Sequence, residues 1–318
     1  MARVKQQKLH PAFRPCRDYI IAMFVLVAMS TYLYGLRVPM LVATSVITAI
    51  LCDLLVFGIR RRQYKFSDLS SIMFAMTFTV MMPASSSYAI IAIGTLVTVL
   101  LGKQAFGGYG CYPFNPAAFG FAFVSVCWPS EVYMYPKSFS GIGLGLTCNT
   151  ALFEAPAHSL KLGGVPEIDK VDFLLGNYPG PLGTTFCIVI LSCLFLLIAH
   201  KTITYHIPLT FLATCAVWAF LFPRISTGRI DSVVLEMLSG AVIFASVFMA
   251  PEPSTSPVNP RAKVVYGVLL GAGTMIFRTF GVFEMGICFA VLLLNPLSSY
   301  LDRKFAPHSV AIKRGQEQ

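Results

Sequence analysis

Long apolar runs separated by short polar segments make up almost the whole chain. The runs are continuous and do not alternate residue by residue, which favours helices over the strands of a barrel. A helix of roughly 20 apolar residues spans a hydrocarbon core of about 30 Å, and it satisfies its own backbone polar groups there. The pattern predicts ten such helices, near residues 19–35, 39–58, 69–83, 88–102, 114–128, 181–199, 206–222, 233–250, 264–280 and 284–300.

Composition places the chain in the same class. The 318 residues are 56% apolar and only 12% charged, with a mean hydropathy of +0.72, whereas soluble domains carry about 25% charged residues. A net charge of +10 would suit nucleic acid, but the basic residues lie in short segments between the apolar runs. We therefore predict an all-α integral membrane protein that has no nucleic-acid partner.

The basic residues also predict the topology. The first 17 residues lack the apolar core of a signal peptide, so residues 1–18 are expected to be a retained cytoplasmic tail. With alternating crossings, 17 of the 24 Lys and Arg residues face the cytoplasm, which predicts that both termini lie inside. The predicted regions are this tail, a first five-helix half (19–128), an extracytoplasmic loop (129–180), a second five-helix half (181–300) and a cytoplasmic tail (301–318).

The two halves are predicted to be related by an inverted repeat. FAMTFTVMMPASSS (74–87) aligns without gaps on FASVFMAPEPSTSP (244–257), matching at both phenylalanines and at Pro83/Pro253. Five helices per half give these segments opposite directions, as an inverted repeat requires, and their Pro/Ser-rich ends are typical of broken helices near the membrane midplane. The alternative is that Pro and Ser simply end two helices.

The predicted extracytoplasmic loop carries a polar cluster, GLGLTCNTALFEAP (143–156), and the loop is too rich in aromatic and apolar residues for simple disorder. No nucleophile, base and acid stand in a catalytic arrangement, and the nine cysteines have no paired or metal-ligand spacing. The sequence therefore predicts no catalytic residue, metal site or disulfide, and any chemistry must come from a cofactor.

Four segments in order resemble a known family. They are GKQAFGGYGCYPFNPA (102–117), HIPLTF (206–211), SGAVIFASVFMAPEP (239–253) and RTFGVF (278–283). Together they resemble the D subunit of the Rnf complex and its relative, the B subunit of the sodium-pumping NADH:quinone oxidoreductase. The length of the chain favours the Rnf subunit.

The resemblance implies a cofactor site. The family carries FMN joined through its phosphate to a threonine hydroxyl, in a motif similar to D-G-x-[ST]-x-A-T that falls here on residues 144–150. Thr150 is then the acceptor, with Thr147 and Asn149 in the same site. Leu144 stands where the family has aspartate, and Asn149 where it has alanine. Covalent attachment is expected, with FMN held without a covalent link as the alternative.

Two acidic residues in predicted helices are candidates for an ion route, because charges inside hydrocarbon are costly and mark functional sites. Asp53 lies within the second run and Glu236 near the start of the eighth. Asp53 is expected to be functional or paired with a basic residue from another subunit, and Glu236 is either functional or solvated near the surface.

The predicted function follows from the resemblance. It implies a flavin-carrying subunit of a redox-driven Na⁺ or H⁺ pump that couples electron transfer between ferredoxin and NAD⁺ to cation movement, in the cytoplasmic membrane of a bacterium or archaeon. The implied partners are other subunits of an Rnf-type complex, an FMN transferase and the lipid bilayer. The alternative is a passive small-solute channel or transporter, which an inverted repeat also suits.

Overall fold

The computed structural model describes residues 13–61, 68–145, 150–166, 168–225, 228–281 and 285–305. This part of the chain is mostly helical, with one two-stranded sheet formed by β1 (Met134–Pro136) and β2 (Leu152–Glu154). The helices are α1 (Phe13–Tyr34), α2 (Arg37–Ile59), α3 (Ser70–Val80), α4 (Tyr88–Leu96, continued by a π-helical segment, Val97–Gln104), α5 (Pro116–Cys127), α6 (Pro129–Val132), α7 (Pro156–Lys161), α8 (Lys170–Leu175), α9 (Cys187–Ala199), α10 (His206–Leu221), α11 (Arg229–Leu238), α12 (Val242–Phe248), α13 (Pro260–Phe280), α14 (Gly286–Leu294) and α15 (Leu297–Lys304).

Each predicted apolar run overlaps one of these helices or a consecutive pair, since 233–250 overlaps α11 and α12 and 284–300 overlaps α14 and α15. Three helices in the described ranges are long and apolar enough to cross a membrane, namely α1, α2 and α13, and the pair α11 and α12 makes a fourth if it counts as one bent span. Further apolar helices are 10–17 residues long. The mostly helical architecture with several apolar spans is confirmed, and the number of ten crossings stays a prediction.

Helix α2 shows how an apolar helix sits at the edge of the bundle. Its buried side recurs about every four residues, at Leu41, Ser45, Ala49 and Cys52. The opposite side exposes the large apolar side chains of Met40, Ile47, Leu51 and Leu54. A continuous apolar face of this kind requires hydrocarbon or a partner protein against it.

One apolar core runs through both predicted halves. Phe74, Phe78 and Phe121 from the first half lie in the same cluster as Phe244 and Phe248 from the second, and all five are essentially inaccessible. Each buried aromatic ring removes a large apolar area from solvent, so this cluster contributes strongly to stability. The core therefore fixes the two halves against each other.

Helix α3 ends well before it could cross a membrane. Its 11 residues give a length of about 16 Å at 1.5 Å per residue. Beyond its end, the carbonyls of Val80 and Met82 accept hydrogen bonds from the backbone N–H groups of Gly183 (2.9 Å) and Leu182 (3.0 Å). Gly183 is needed for this approach, since a Cβ there would lie 2.3 Å from a methyl carbon of Val80. Protein groups therefore satisfy these two carbonyls at the break after α3.

The second break separates α11 from α12, whose axes differ by 52°. Ala241 adopts a left-handed conformation there, with φ of 63°. The guanidinium of Arg278 donates to the Glu236 carbonyl (2.9 Å) and to the Ser239 hydroxyl (3.0 Å). A buried arginine thus satisfies polar groups where α11 ends.

The proline positions and two helix starts bear on the predicted repeat. Pro83 and Pro253 both lie outside helices, in the segments that follow α3 and α12. In addition, Ser87 caps α4 and Asn259 caps α13, the helices that follow these two segments. The inverted repeat stays a prediction, and these shared features are what it would produce.

The topology leads to a direct prediction. A reporter fused after Gln318 is expected to be active only in the cytoplasm, and one inserted near His158 only outside, because the basic residues favour the cytoplasmic side. Alkaline phosphatase and a fluorescent protein, each fused at both points, measure this. Phosphatase activity after Gln318, or fluorescence at His158, would contradict the predicted topology.

Candidate functional site

The polar cluster predicted from the sequence lies at a hairpin. Strands β1 and β2 pair antiparallel, with Tyr135 opposite Phe153, and residues 137–151 form the connection, named here the hairpin loop. Thr150 lies partly exposed, two residues before β2. Thr147 and Asn149 lie outside the described residues. The Leu144 side chain is exposed, so the residue that replaces the family's aspartate is accessible.

The start of the hairpin loop rests on the turn between α1 and α2. The backbone N–H of Phe139 donates to the Leu33 carbonyl (2.9 Å), and the Phe139 ring meets the Tyr32 ring edge-on, with centroids 5.6 Å apart. The loop is thus seated on the helical bundle at the same end as that turn.

The later part of the predicted extracytoplasmic loop packs against the region around α11. Phe173 and Tyr178 form a small buried cluster with Leu160 and with two residues from the region around α11, Ile225 and Leu235. The Tyr178 hydroxyl donates to the Leu238 carbonyl (3.2 Å). Apolar side chains in this segment are therefore used for packing against the second half, and the described part of the loop is ordered by it.

Asp53 lies in a buried cluster at the predicted cytoplasmic end. The Gln104 amide donates to its carboxylate (2.6 Å), and the Lys103 ammonium lies 3.8 Å from the other oxygen. The same ammonium contacts Asp68 (3.1 Å) and donates to the Ser71 hydroxyl (2.7 Å). Asp53 therefore has a basic neighbour in this chain, Lys103, brought close because α2 packs against the end of α4. A basic partner from another subunit stays a prediction.

This cluster is distinguished by the backbone that carries Lys103 and by the charge of Asp68. Lys103 and Gln104 end the π-helical segment, where the Ala105 N–H donates to the Leu100 carbonyl (2.8 Å), and π-helical segments are frequent at functional sites. Burial acts to raise the pKa of Asp68, but Lys103 and the hydrogen bonds from Ser70 outweigh it and hold that pKa below its ordinary value. Asp68 is thus held as a carboxylate that balances the buried lysine.

Glu236 lies in a second buried ion cluster, at the predicted extracytoplasmic end. One carboxylate oxygen accepts from Nε of Arg224 (2.5 Å), and the other lies 3.0 Å from Arg278. Arg224 also donates to the Arg278 carbonyl (2.9 Å). Glu236 is only 2% exposed, so it is not a solvated surface group. The assignment of Asp53 and Glu236 to an ion route stays a prediction.

A third buried carboxylate, Glu252, was missed by the sequence analysis. It lies in the segment between α12 and α13, and the hydroxyls of Ser254 (2.7 Å) and Thr255 (2.8 Å) donate to it. The Tyr112 hydroxyl, from the glycine-rich segment of the first half, lies 2.6 Å from the Ser254 hydroxyl. Within the described residues no Lys, Arg or His forms an ion pair with Glu252. Glu252 is visible in the sequence as the acidic residue of PEPSTSP, a segment that was interpreted only as the end of a helix.

The chemistry available from these groups is limited. Glu252 and its hydroxyl neighbours offer oxygen ligands of the kind that hard cations prefer. No group of three or more His, Cys, Asp or Glu residues positioned to hold a metal ion occurs in the described ranges. The described side chains therefore offer charge and hydrogen bonding, and electron transfer would require a bound redox group.

Comparison with known proteins identifies the family. Residues 10–311 match the model of the NQR2, RnfD, RnfE family. The D subunit of the ion-translocating oxidoreductase complex of Haemophilus influenzae is 28% identical over 333 residues, covering 91% of this chain and 90% of the relative. The D subunit of the Na⁺-translocating ferredoxin:NAD⁺ oxidoreductase complex of Acetobacterium woodii is 28% identical, covering 90% and 87%. The D subunit of the proton-translocating ferredoxin:NAD⁺ oxidoreductase complex of Clostridium ljungdahlii is 25% identical, covering 88% and 86%. The chain belongs to the NQR2, RnfD, RnfE family.

Proposed function

We propose that this chain is the D-type membrane subunit of an ion-translocating ferredoxin:NAD⁺ oxidoreductase complex, that it carries FMN joined to Thr150, and that its cation is Na⁺ or H⁺. The observation that carries the proposal is the match along about nine tenths of the chain to relatives named as such subunits. Other subunits of that complex and an FMN transferase are its partners, and the cytoplasmic membrane is its location.

The hairpin loop fits a covalent flavin in two respects. A phosphoester requires a hydroxyl that a transferase can reach, and Thr150 is partly exposed with the exposed residues Ala151, Leu152 and Phe153 after it. It also requires a defined position for the flavin, and the paired strand β2 begins two residues after Thr150. The flavin itself would accept electrons from one redox partner and donate them to another.

The protein residues would supply the path of the cation. Glu252 is the buried carboxylate best suited to take up a transported cation, because hydroxyl groups surround it and no basic side chain of the described residues pairs with it. Asp53 and Glu236 are at opposite predicted ends of the bundle, each in contact with a fixed basic side chain. In this proposal their clusters hold the helices around the route, and Glu252 exchanges the cation.

Gel fluorescence tests the flavin part of the proposal. The chain is produced with its flavin transferase, purified, run on a denaturing gel and viewed under ultraviolet light. A fluorescent band at the mass of the protein is expected, because only a covalent flavin survives denaturation. FMN released on denaturation without a fluorescent band would contradict the covalent link, and the absence of any flavin would favour the channel alternative.

A further inference from the structure

Arg37 is a buried arginine that touches the hairpin loop. It begins α2, just beyond the turn on which Phe139 rests, and its side chain is fully inaccessible. Among the described residues no carboxylate forms an ion pair with it. A buried charge is costly unless its hydrogen bonds are made, so the partners of Arg37 indicate its purpose.

Within the described part of the chain, the side-chain hydrogen bonds of Arg37 all go to backbone carbonyls. Nη1 donates to Gly143 (2.9 Å) and to Gly145 (2.6 Å), which open the polar cluster of the hairpin loop. Nε donates to Ala84 (2.9 Å) and Nη2 to Ser86 (3.1 Å), which lie in the break after α3. One guanidinium therefore joins two segments that are far apart in sequence.

Tyr88 strengthens the same connection. The Arg37 guanidinium lies over the Tyr88 ring, 5.1 Å from its centroid, and the Tyr88 hydroxyl donates to the Leu144 carbonyl (3.3 Å). Three consecutive carbonyls of the loop, from Gly143 to Gly145, are thus bound by two side chains from α2 and α4.

We propose that Arg37 is a positioning residue that ties the hairpin loop, and with it the flavin at Thr150, to the break after α3. The presence of a flavin in this inference rests on the proposed function. The connection that Arg37 makes between the hairpin loop and the break after α3, called the tie below, does not depend on it. The forked guanidinium suits the task, because its planar donors reach carbonyls on two sides at once, whereas a lysine ammonium acts as a point charge. The flavin is thereby held in a fixed position relative to a broken helix.

Arg37→Lys in the full chain tests the tie, because it keeps the charge and removes the fork. Trypsin cleavage after Lys137, an exposed residue in the loop, is expected to become about tenfold faster, since a loop opening that costs less free energy exposes the bond more often. The fluorescence anisotropy of the covalent flavin is expected to fall as the loop gains motion. Tyr88→Phe removes only the contact to Leu144 and is expected to accelerate cleavage about twofold.

The matched control is Arg229→Lys, which changes an exposed arginine on the same predicted side and should leave cleavage and anisotropy unchanged. Cleavage and anisotropy of Arg37→Lys that both stay at wild-type values would overturn the proposal. If Arg37→Lys does not accumulate, unchanged cleavage in Tyr88→Phe overturns it instead. A wild-type chain without flavin fluorescence would count against the proposed function alone, because the trypsin comparison still measures the tie.

Discussion

Replacing Thr150 with valine is expected to abolish covalent flavin completely. Valine keeps the branched shape of threonine but lacks the oxygen that a phosphoester requires, so no other outcome is compatible with attachment at this residue. Gel fluorescence of Thr150→Val, produced with the transferase, measures the effect. Because Thr150 is partly exposed, the protein is expected to insert and accumulate as the wild type does.

Thr147→Val is the matched control for that experiment. It removes at most one local hydrogen bond, worth about 0.5–1.5 kcal/mol, and should leave the band fluorescent. Leu144→Asp restores the family's acid on an exposed side chain and is expected to raise the flavinylated fraction where attachment is incomplete. A fluorescent band from Thr150→Val, or a band lost only in Thr147→Val, would place the attachment elsewhere.

Lys103→Met is expected to give the largest loss of stability among single changes at the ion clusters. It leaves the buried Asp53 and the partly buried Asp68 without their shared cation, and removing one partner of a buried ion pair costs about 3–5 kcal/mol. Thermal unfolding in detergent measures the change. Adding Asp53→Asn and Asp68→Asn to Lys103→Met should recover much of the lost stability, because these two substitutions remove the uncompensated carboxylate charges.

Lys304→Met serves as the control for Lys103→Met, since Lys304 is exposed near the end of α15, and its effect should stay within about 0.5 kcal/mol. Equal unfolding temperatures for Lys103→Met and Lys304→Met would show that the buried cluster does not stabilise the fold. That result would favour a role for Asp53 in the ion route over a role in stability.

The apolar runs made much of the architecture predictable. An apolar helix is specified by its own stretch of sequence, so each of the ten predicted runs overlaps a helix or a consecutive pair of helices. Pro83 marked a segment without helix for the same local reason, since proline has no N–H to continue the ladder. The lengths of the helices were less predictable from local sequence. Helix α3, for example, ends at Val80, whose carbonyl accepts a hydrogen bond from Gly183, about a hundred residues further along the chain.

The partners of buried charges were not predictable from local pattern. Asp53 and Lys103 lie on different helices, and only the packing of α2 against the end of α4 makes them a pair. Glu252 was missed because an acid between two prolines reads as a polar turn, whereas the fold buries it beside Tyr112 and Ser254. Arg37 was counted only as a topology signal, although its guanidinium is enclosed by backbone carbonyls.

The mass of one peptide tests the central claim most directly. Trypsin cleavage after Lys137 and Lys161 releases residues 138–161, which contain Thr150 and no other Lys or Arg before the end. From wild-type protein produced with the transferase, this peptide is expected to carry the added mass of one FMN less one water, with fragment ions that locate it on Thr150. A peptide of unmodified mass from protein that shows no flavin after denaturation would contradict the account.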